Sequence, residues 1–192
     1  MITQLSTVKD RLGIDQFDIK YDAILTNAIK ALSARFDKLC NRKFARTANA
    51  LEEFDAGEVE VTPLCYPIET VSKFELKENE SDGWVEQTGV TYLLRHGCVI
   101  SLENRLGLGG LARVTYTGGY ILPGTTVGAG QTALPDDVEQ AAVEQVAAWF
   151  QNREKLGLVR HWPKGGVYEE FLQAELLIGV REVLKGYERM RV

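Results

Sequence analysis

Hydrophobic residues recur with a helical period near the start of the chain. Within residues 22–40 the apolar positions follow an i, i+4, i+7/8 stripe: Ile24, Leu25, Ala28, Ile29, Leu32, Phe36, Leu39 and Cys40. A stripe of this kind is typical of an amphipathic helix. Ahead of it, Ser6 or Thr7 can cap a short helix that Gly13 would end, and Asp15 or Asp18 can cap the long one. The pattern predicts a helical segment over residues 1–46.

The period changes to that of strands in residues 51–117. Short segments rich in β-branched and aromatic residues are separated by Gly, Pro, Asn and Asp, as in LEEFDAGEVEV, TVSKFELKE, GWVEQ, TYLLR, CVISL and LARVTYT. This arrangement is typical of antiparallel strands joined by turns. We therefore predict a β subdomain of five or six strands over residues 51–117.

Helical periodicity returns at LPDDVEQAAVEQVAAWFQNRE, where Pro135 suits the first helical position. Its apolar stripe comprises Val138, Ala142, Val146, Trp149 and Phe150, and a last helix is predicted from Tyr168 to Tyr187. Helices, strands and helices thus follow in separate blocks, which favours an α+β fold over an alternating α/β fold. We predict one domain over residues 1–192, a helical bundle of two N-terminal and two C-terminal helices (1–46 and 135–192) with an inserted antiparallel β subdomain.

A long uncharged loop, residues 118–134, joins the last predicted strand to the third long helix. Its sequence from residue 117 is TGGYILPGTTVGAGQTALP, in which glycine and threonine recur. Pinning such a chain costs conformational entropy, so we expect the loop to order against a partner.

Composition narrows the classes of function. The chain has 192 residues, 45% hydrophobic content, a net charge of −5 and a pI of about 5.2. This charge argues against a general affinity for nucleic acid, and no apolar run is long enough to predict a membrane span. The N-terminus lacks the pattern of a signal peptide. The three cysteines, Cys40, Cys65 and Cys98, fit synthesis in a reducing cytoplasm as small buried hydrophobes.

Charge is unevenly distributed along the sequence. Residues 52–86 hold eleven acids against two lysines, residues 35–46 hold five bases against one acid, and residues 151–192 hold eight bases against six acids. The segment charges are therefore −9, +4 and +2. Such polarity suits contact between unlike surfaces, although ordinary solubility charge explains each patch equally simply.

Candidate chemistry is sparse, and we expect no catalytic residue, no metal site and no cofactor. His96 and Cys98 could form a nucleophilic pair, but Gly97 between them favours a hairpin turn. The glycines of RLGLGGLARV lie between strand segments, which favours a hairpin or bulge over a phosphate loop. The acidic middle could hold a divalent cation through oxygens or be a solvated face. The cluster RHWPKGG (Arg160, His161, Trp162, Lys164) could bind single strands, pack as a linker or contact a partner.

Several segments together resemble the head–tail connector proteins of tailed phages, also called adaptor or head-completion proteins. The run ARVTYTGGY, a loop and LPDDVEQAAVEQVAAWFQNRE look like the family's C-terminal half. TVKDRLGID followed by DIKYDAILTNAIKALSARFDKLCNRKF is similar to its N-terminal helix pair, and LCYPIETVSKFELKE to its first β segment. The resemblance covers roughly residues 5–155 and is closest to the larger members with an inserted β region.

The resemblance implies a structural virion protein without enzymatic activity. Such proteins form a homo-oligomeric ring, usually of twelve copies, that attaches to the portal vertex and joins the DNA-filled head to the tail. DNA passes through the channel without sequence-specific binding, and the partners are the portal protein and the tail, stopper or tail-terminator protein. The location implied is the head–tail interface of the virion, after assembly in the host cytoplasm. The alternative is another neck or tail-completion protein that binds the tail terminator.

Two segments are predicted to contact partners. Arginine and aromatic residues are typical interface anchors, so we expect Tyr187, Arg189, Met190 and Arg191 to dock on the portal. From the loop, which we term the assembly loop, we expect Tyr120, Leu122, Thr125, Thr126 and Val127 to contact a neighbouring subunit or the tail.

Overall fold

The chain forms two compact units in a computed structural model that describes residues 1–155, 160–161, 169–170 and 176–189. The helical unit comprises Met1–Phe36 and Pro135–Tyr187. The β unit comprises Asp37–Leu134 and Glu188–Val192. The chain therefore enters the β unit a second time, after Tyr187.

Among the described residues, four α-helices have the bounds α1 Leu5–Leu12, α2 Asp22–Leu39, α3 Asp136–Gln151 and α4 Ile178–Lys185, and a short 3-10 helix spans Arg153–Lys155. The predicted stripe of α2 is confirmed at its centre, because Leu25, Ile29, Leu32 and Phe36 are buried. Ile24 and Leu39, at the margins of the stripe, are exposed. The buried face of α2 is thus narrower than the face that carries its apolar residues.

The short polar residues around α1 and α2 differ from the prediction. Gly13 ends α1 in the left-handed conformation, with φ of 67°, as predicted. Ser6 and Thr7 lie inside α1, which begins at Leu5, and so do not cap it. Asp15 and Asp18 lie ahead of α2 and accept hydrogen bonds from the backbone N–H groups of Phe17 (2.8 Å) and Lys20 (2.9 Å). Each of these aspartates forms a turn instead of a helix cap. Its short side chain reaches the backbone N–H two residues onward as easily as it would reach an N–H group at the start of a helix.

The predicted last helix over residues 168–187 is wrong in its N-terminal part. Glu169–Glu170 is a strand, β9, that pairs antiparallel with β8, Arg160–His161. Pairing between the two strands supplies hydrogen bonds to the backbone N–H and C=O groups that a helix would otherwise have satisfied. α4 begins only at Ile178, and the predicted stripe positions Phe171 and Leu172 lie outside the described residues.

The described part of the β unit holds seven strands in two antiparallel sheets, against the five or six strands predicted. The strands are β1 Thr47–Asp55, β2 Glu60–Val61, β3 Ile68–Lys77, β4 Val85–Gln87, β5 Tyr92–Arg95, β6 Val99–Leu102 and β7 Leu111–Gly118. The larger sheet has the order β1-β7-β3-β4 and the smaller one β2-β6-β5. The helices and the antiparallel β region confirm the predicted α+β class.

The inner face of the larger sheet forms the core of the β unit. Alternate residues point inward, including Phe54 on β1, Ala112, Val114 and Tyr116 on β7, and Phe74 and Leu76 on β3. The opposite face carries a cross-strand row in which Glu53, Arg113, Glu75 and Glu86 are successive register partners. Arg113 makes two hydrogen bonds to Glu75, of 2.7 and 3.0 Å. Charge on one face and hydrocarbon on the other fix the register of this sheet.

Two consecutive glycines, at and just after the end of β7, lie where neighbouring backbones approach closely. A Cβ atom on Gly118 would lie 2.4 Å from the carbonyl oxygen of Cys65. Gly119 has φ of 103°, and its Cβ would lie 2.7 Å from the carbonyl oxygen of Ala45. No side chain fits at either position. The TGG run therefore holds the assembly loop against residues 45 and 65.

Candidate assembly surfaces

An acidic groove runs along one side of the β unit. Its volume is about 490 Å³, and its lining residues are Asn41, Glu52, Glu53, Phe54, Asp55, Glu58, Glu60, Val61, Thr62 and Arg189. Five of the ten are carboxylates, three of them on β1. The groove contains part of the acidic middle predicted from the sequence.

Arg189 enters this groove from the chain's final segment. Its Nη2 donates to Glu52 Oε1 at 3.0 Å and to the carbonyl oxygen of Thr62. Its backbone N–H donates to the carbonyl oxygen of Cys40 at 2.8 Å. The second carboxylate oxygen of Glu52 accepts from the backbone N–H of Leu64 at 3.1 Å. The side chains of Arg189 and Glu52 are 19% and 12% exposed, so water screens this ion pair only partly.

The other predicted portal contacts divide into two groups. The Tyr187 hydroxyl donates to Asp137 Oδ1 at 2.7 Å within the helical unit. Met190 and Arg191 lie outside the described residues. The structure therefore gives Tyr187 and Arg189 partners within their own subunit. The sequence had singled out Arg189, whereas its partner Glu52 lies 137 positions away and carries no local signal.

Arg42 lies inside an aromatic cage at the base of the assembly loop. Its guanidinium carbon is 3.4 Å from the ring centre of Tyr66, 4.8 Å from that of Phe44 and 5.1 Å from that of Tyr120. It also donates to the carbonyl oxygen of Tyr66. Burial raises the pKa of Tyr66 above its ordinary value, while nearby Arg42 opposes this. Tyr120, predicted as a partner contact, thus packs within the β unit.

The assembly loop is closed at its base and exposed at its tip. The backbone N–H of Ile121 donates to Thr132, and that of Leu134 donates back to Ile121, at 2.8 and 2.9 Å. Of the predicted contact residues, Leu122 is half-buried, while Thr125, Thr126 and Val127 are exposed. The exposed part available to a partner is therefore the tip, not the whole loop.

A braced loop between α1 and α2 exposes two apolar residues that sequence reasoning missed. Phe17 is 93% and Ile19 78% exposed. Lys9, only 2% exposed, donates from Nζ to the carbonyl oxygens of Gln16 (3.1 Å) and Asp18 (2.8 Å) and lies 2.5 Å from Asp22 Oδ1. The apolar residues within DQFDIK, outside any helical stripe, were the available signal. An ordered loop that exposes a phenylalanine is typical of an interaction site.

The weaker chemical candidates are turns or lie outside the described part. His96 and Gly97 have positive φ (51° and 67°) in the hairpin turn between β5 and β6, as favoured from sequence. Gly107, Gly109 and Gly110 lie between β6 and β7 and open no helix. Trp162 and Lys164 of RHWPKGG lie outside the described residues.

Cys40 and Cys65 are buried as predicted, whereas Cys98, also predicted to be buried, is half-buried. Burial raises the pKa of the Cys40 thiol to about 11, which keeps it protonated near neutral pH. Among the described residues, no three His, Cys, Asp or Glu side chains form a group suited to a metal ion. None of the described helices has both the length and the apolar character needed to cross a membrane.

The fold is similar to solved structures of virus-like particles. A chain in the neck of an empty GTA (gene transfer agent) particle, computed with C6 symmetry, superposes with a TM-score of 0.58 at 18% identity, covering 97% of this chain and 89% of that one. A chain in the virion of the native gene transfer agent particle gives 0.55 at 17% identity, over 97% and 89%. A chain in the neck of the native particle, computed with C12 symmetry, gives 0.53 at 20% identity, over 97% and 88%.

Comparison of the sequence with protein-family models and with curated proteins finds no match. The resemblance is therefore one of fold, and it extends over both units and nearly the whole length of each chain compared. This chain has the fold of chains found in the neck and virion of gene transfer agent particles.

Proposed function

We propose that this protein is a structural component of the neck of a tailed phage or phage-like particle. It forms a homo-oligomeric ring at the portal vertex and joins the DNA-filled head to the tail. The observation that carries this proposal is the fold shared with neck chains over 97% of the sequence. Its role is non-enzymatic and needs no cofactor.

A ring of twelve copies is the arrangement we favour. The two neck structures with this fold were computed with C6 and C12 symmetry, and twelve identical subunits are compatible with both. A closed ring requires two different faces on each subunit that meet head to tail. DNA passes through the channel of this ring without sequence-specific binding.

Three surfaces are assigned to assembly within this proposal. Tyr187, Arg189, Met190 and Arg191 dock on the portal; for the first two, this means leaving Asp137 and Glu52. The tip of the assembly loop contacts a neighbouring subunit or the tail. The braced loop that carries Phe17 and Ile19 contacts a second copy in the ring, since its apolar side chains would otherwise remain in water.

The test is an assembly experiment with purified components. The protein is incubated separately with its cognate portal and with tails, and the products are imaged end-on by electron microscopy. We expect rings of twelve on the portal and none on tails alone. Decoration of tails with no binding to portals would favour the alternative, a tail-completion protein that binds the tail terminator.

A further inference from the structure

We propose that Arg189 is a releasable latch, held by the acidic groove in the free subunit and transferred to a carboxylate of the portal during assembly. This inference rests on the proposed portal docking and adds to it the regulation of the docking segment and the chemistry of its partner. The contacts between Arg189 and the groove carry it.

The first step is that the docking segment is engaged before any partner arrives. Arg189 is anchored twice, through its guanidinium to Glu52 and Thr62 and through its backbone N–H to Cys40. Both N–H groups of Nη2 are used in these contacts, so Nη2 cannot bind a second carboxylate while Arg189 stays in the groove. Portal docking through Arg189 therefore competes with the groove.

The second step is that the groove holds Arg189 incompletely. Arg189 Nε is buried and has no hydrogen-bond partner among the described residues. Glu52 accepts from Arg189 through Oε1 alone, since Oε2 accepts from the N–H of Leu64. A planar guanidinium binds best to a carboxylate that takes two parallel hydrogen bonds. The groove thus satisfies Arg189 well enough to hold it, yet a bidentate carboxylate would bind it better.

The third step identifies the partner. The groove shows what Arg189 recognises: a carboxylate beside a main-chain carbonyl, on a surface rich in acids. The portal site should have the same chemistry, with a carboxylate free to bind Nε and Nη2 together. The groove keeps other acids when Arg189 leaves it. Glu60 pairs with Arg95 at 2.6 Å, whereas Asp55 and Glu58 form no ion pair with any described residue. The vacated groove is therefore a strongly anionic surface.

The test measures how tightly each of three variants binds to cognate portal that is immobilised on a surface. Glu52→Gln keeps the size of the side chain and an acceptor for Leu64 but removes the charge that holds Arg189; we expect it to bind portal about threefold to tenfold more tightly than wild type. Arg189→Ala should bind at least tenfold more weakly. Glu58→Gln is the matched control, since Glu58 lines the same groove without contacting Arg189, and it should bind like wild type.

A reversible lock gives an independent readout. Glu188 precedes the anchored residue and lies within electrostatic range of the Cys40 thiol. In Glu188→Cys, oxidation should join the introduced thiol to Cys40 and fix the segment in the groove, with peptide mapping to verify the bond. We expect the oxidised protein to lose portal binding and a reductant to restore it.

The outcomes separate the latch from the docking on which it rests. Weaker binding by Arg189→Ala, together with wild-type binding by Glu52→Gln and by the oxidised protein, would overturn the latch and keep portal docking. Wild-type binding by Arg189→Ala would overturn both. Each variant should have a melting temperature within a few degrees of that of wild type. This control verifies that a loss of portal binding is not caused by a loss of fold.

Discussion

At the scale of single residues, buried polar groups decide how the β unit is held together. Tyr116 is almost fully buried, and its hydroxyl oxygen accepts a hydrogen bond from the backbone N–H of Cys65 at 3.0 Å. Burial raises its pKa well above the ordinary value, so the phenol is neutral at any pH at which the protein is studied. One side chain thereby satisfies a backbone donor 51 positions away.

We expect Tyr116→Phe to lower the free energy of unfolding by about 1–3 kcal/mol, because the N–H of Cys65 would be buried without an acceptor. Chemical denaturation monitored by circular dichroism measures this change. Tyr92→Phe, at a partly exposed ring of the same unit, is the control and should change stability by less than about 0.5 kcal/mol. Equal effects of the two substitutions would contradict the assigned role of the hydroxyl.

Glu75 gives the stability a defined dependence on pH. Hydrogen bonds from Arg113, with Lys73 nearby, lower the pKa of Glu75 from 4.5 to about 2. A group whose pKa is lower in the folded state stabilises the fold above its unfolded pKa. This contribution should therefore be complete above about pH 4.5 and lost as the pH falls towards 2.

We expect Glu75→Gln to be less stable than wild type at pH 7 by about 1–2 kcal/mol. The difference should shrink as the pH approaches 2, where the wild-type carboxylate also becomes protonated. Denaturation curves for both proteins between pH 2 and pH 7 provide the measurement. A difference that stays constant over this range would exclude the Arg113 ion pair as its cause.

At the scale of elements, the loop between α1 and α2 is the clearest candidate for a contact between copies. Its backbone is braced from below by Lys9, so Phe17 would lose little conformational entropy on binding. We expect Phe17→Ser to leave the melting temperature of the free subunit unchanged and to weaken ring formation at least tenfold. Sedimentation and counts of rings on portal measure the effect.

Leu108 provides a matched control for that experiment. It is 99% exposed and lies between Gly107 and Gly109, in the segment that joins β6 to β7. Leu108→Ser removes a similar exposed apolar area and should leave ring formation unchanged. If both substitutions weaken assembly equally, the effect is one of general hydrophobicity and not of the braced loop.

Helices and strands were predicted correctly where the sequence has a long hydrophobic period. They were missed where tertiary contacts decide the local structure. The stripes of α2 and α3 correctly gave two helices, because burial of Leu25 or Val146 follows from spacing alone. Asp15 and Asp18 were assigned to helix caps because nothing local distinguishes a cap from a turn. The pairing of Glu169–Glu170 with Arg160–His161 is likewise a contact that periodicity does not contain.

The candidate surfaces show the same division. The choice of Arg189 and the tip of the assembly loop as partner contacts stays a prediction, whereas Tyr120 was not recognised as part of the Arg42 cage. The sequence around an aromatic residue does not distinguish one that contacts a partner from one that packs within its own subunit. The pairing of Arg189 with Glu52 depends on the tertiary fold and could not be read from the chain.

At the scale of the whole molecule, the final segment adds a non-local contact to the β unit. We expect removal of residues 188–192, which keeps Tyr187, to leave a folded protein whose unfolding free energy is lower by about 1–3 kcal/mol, because Glu52 loses its cation. Its melting temperature should fall by several degrees. Removal of residues 190–192 alone keeps Arg189 and should spare stability; a similar loss in both truncations would contradict the importance of Arg189.

The burial of Lys9 makes one amine in the protein a chemical reporter. Its ammonium group, which reaches the loop from α1, is shielded and contacts carbonyl and carboxylate oxygens, whereas Lys20, on the loop itself, is exposed to water. An acylating reagent should therefore modify Lys20 rapidly and Lys9 only when the loop opens. Mass spectrometry of peptides labelled before and after ring assembly would follow the opening of this loop at a single residue, without any substitution in the chain.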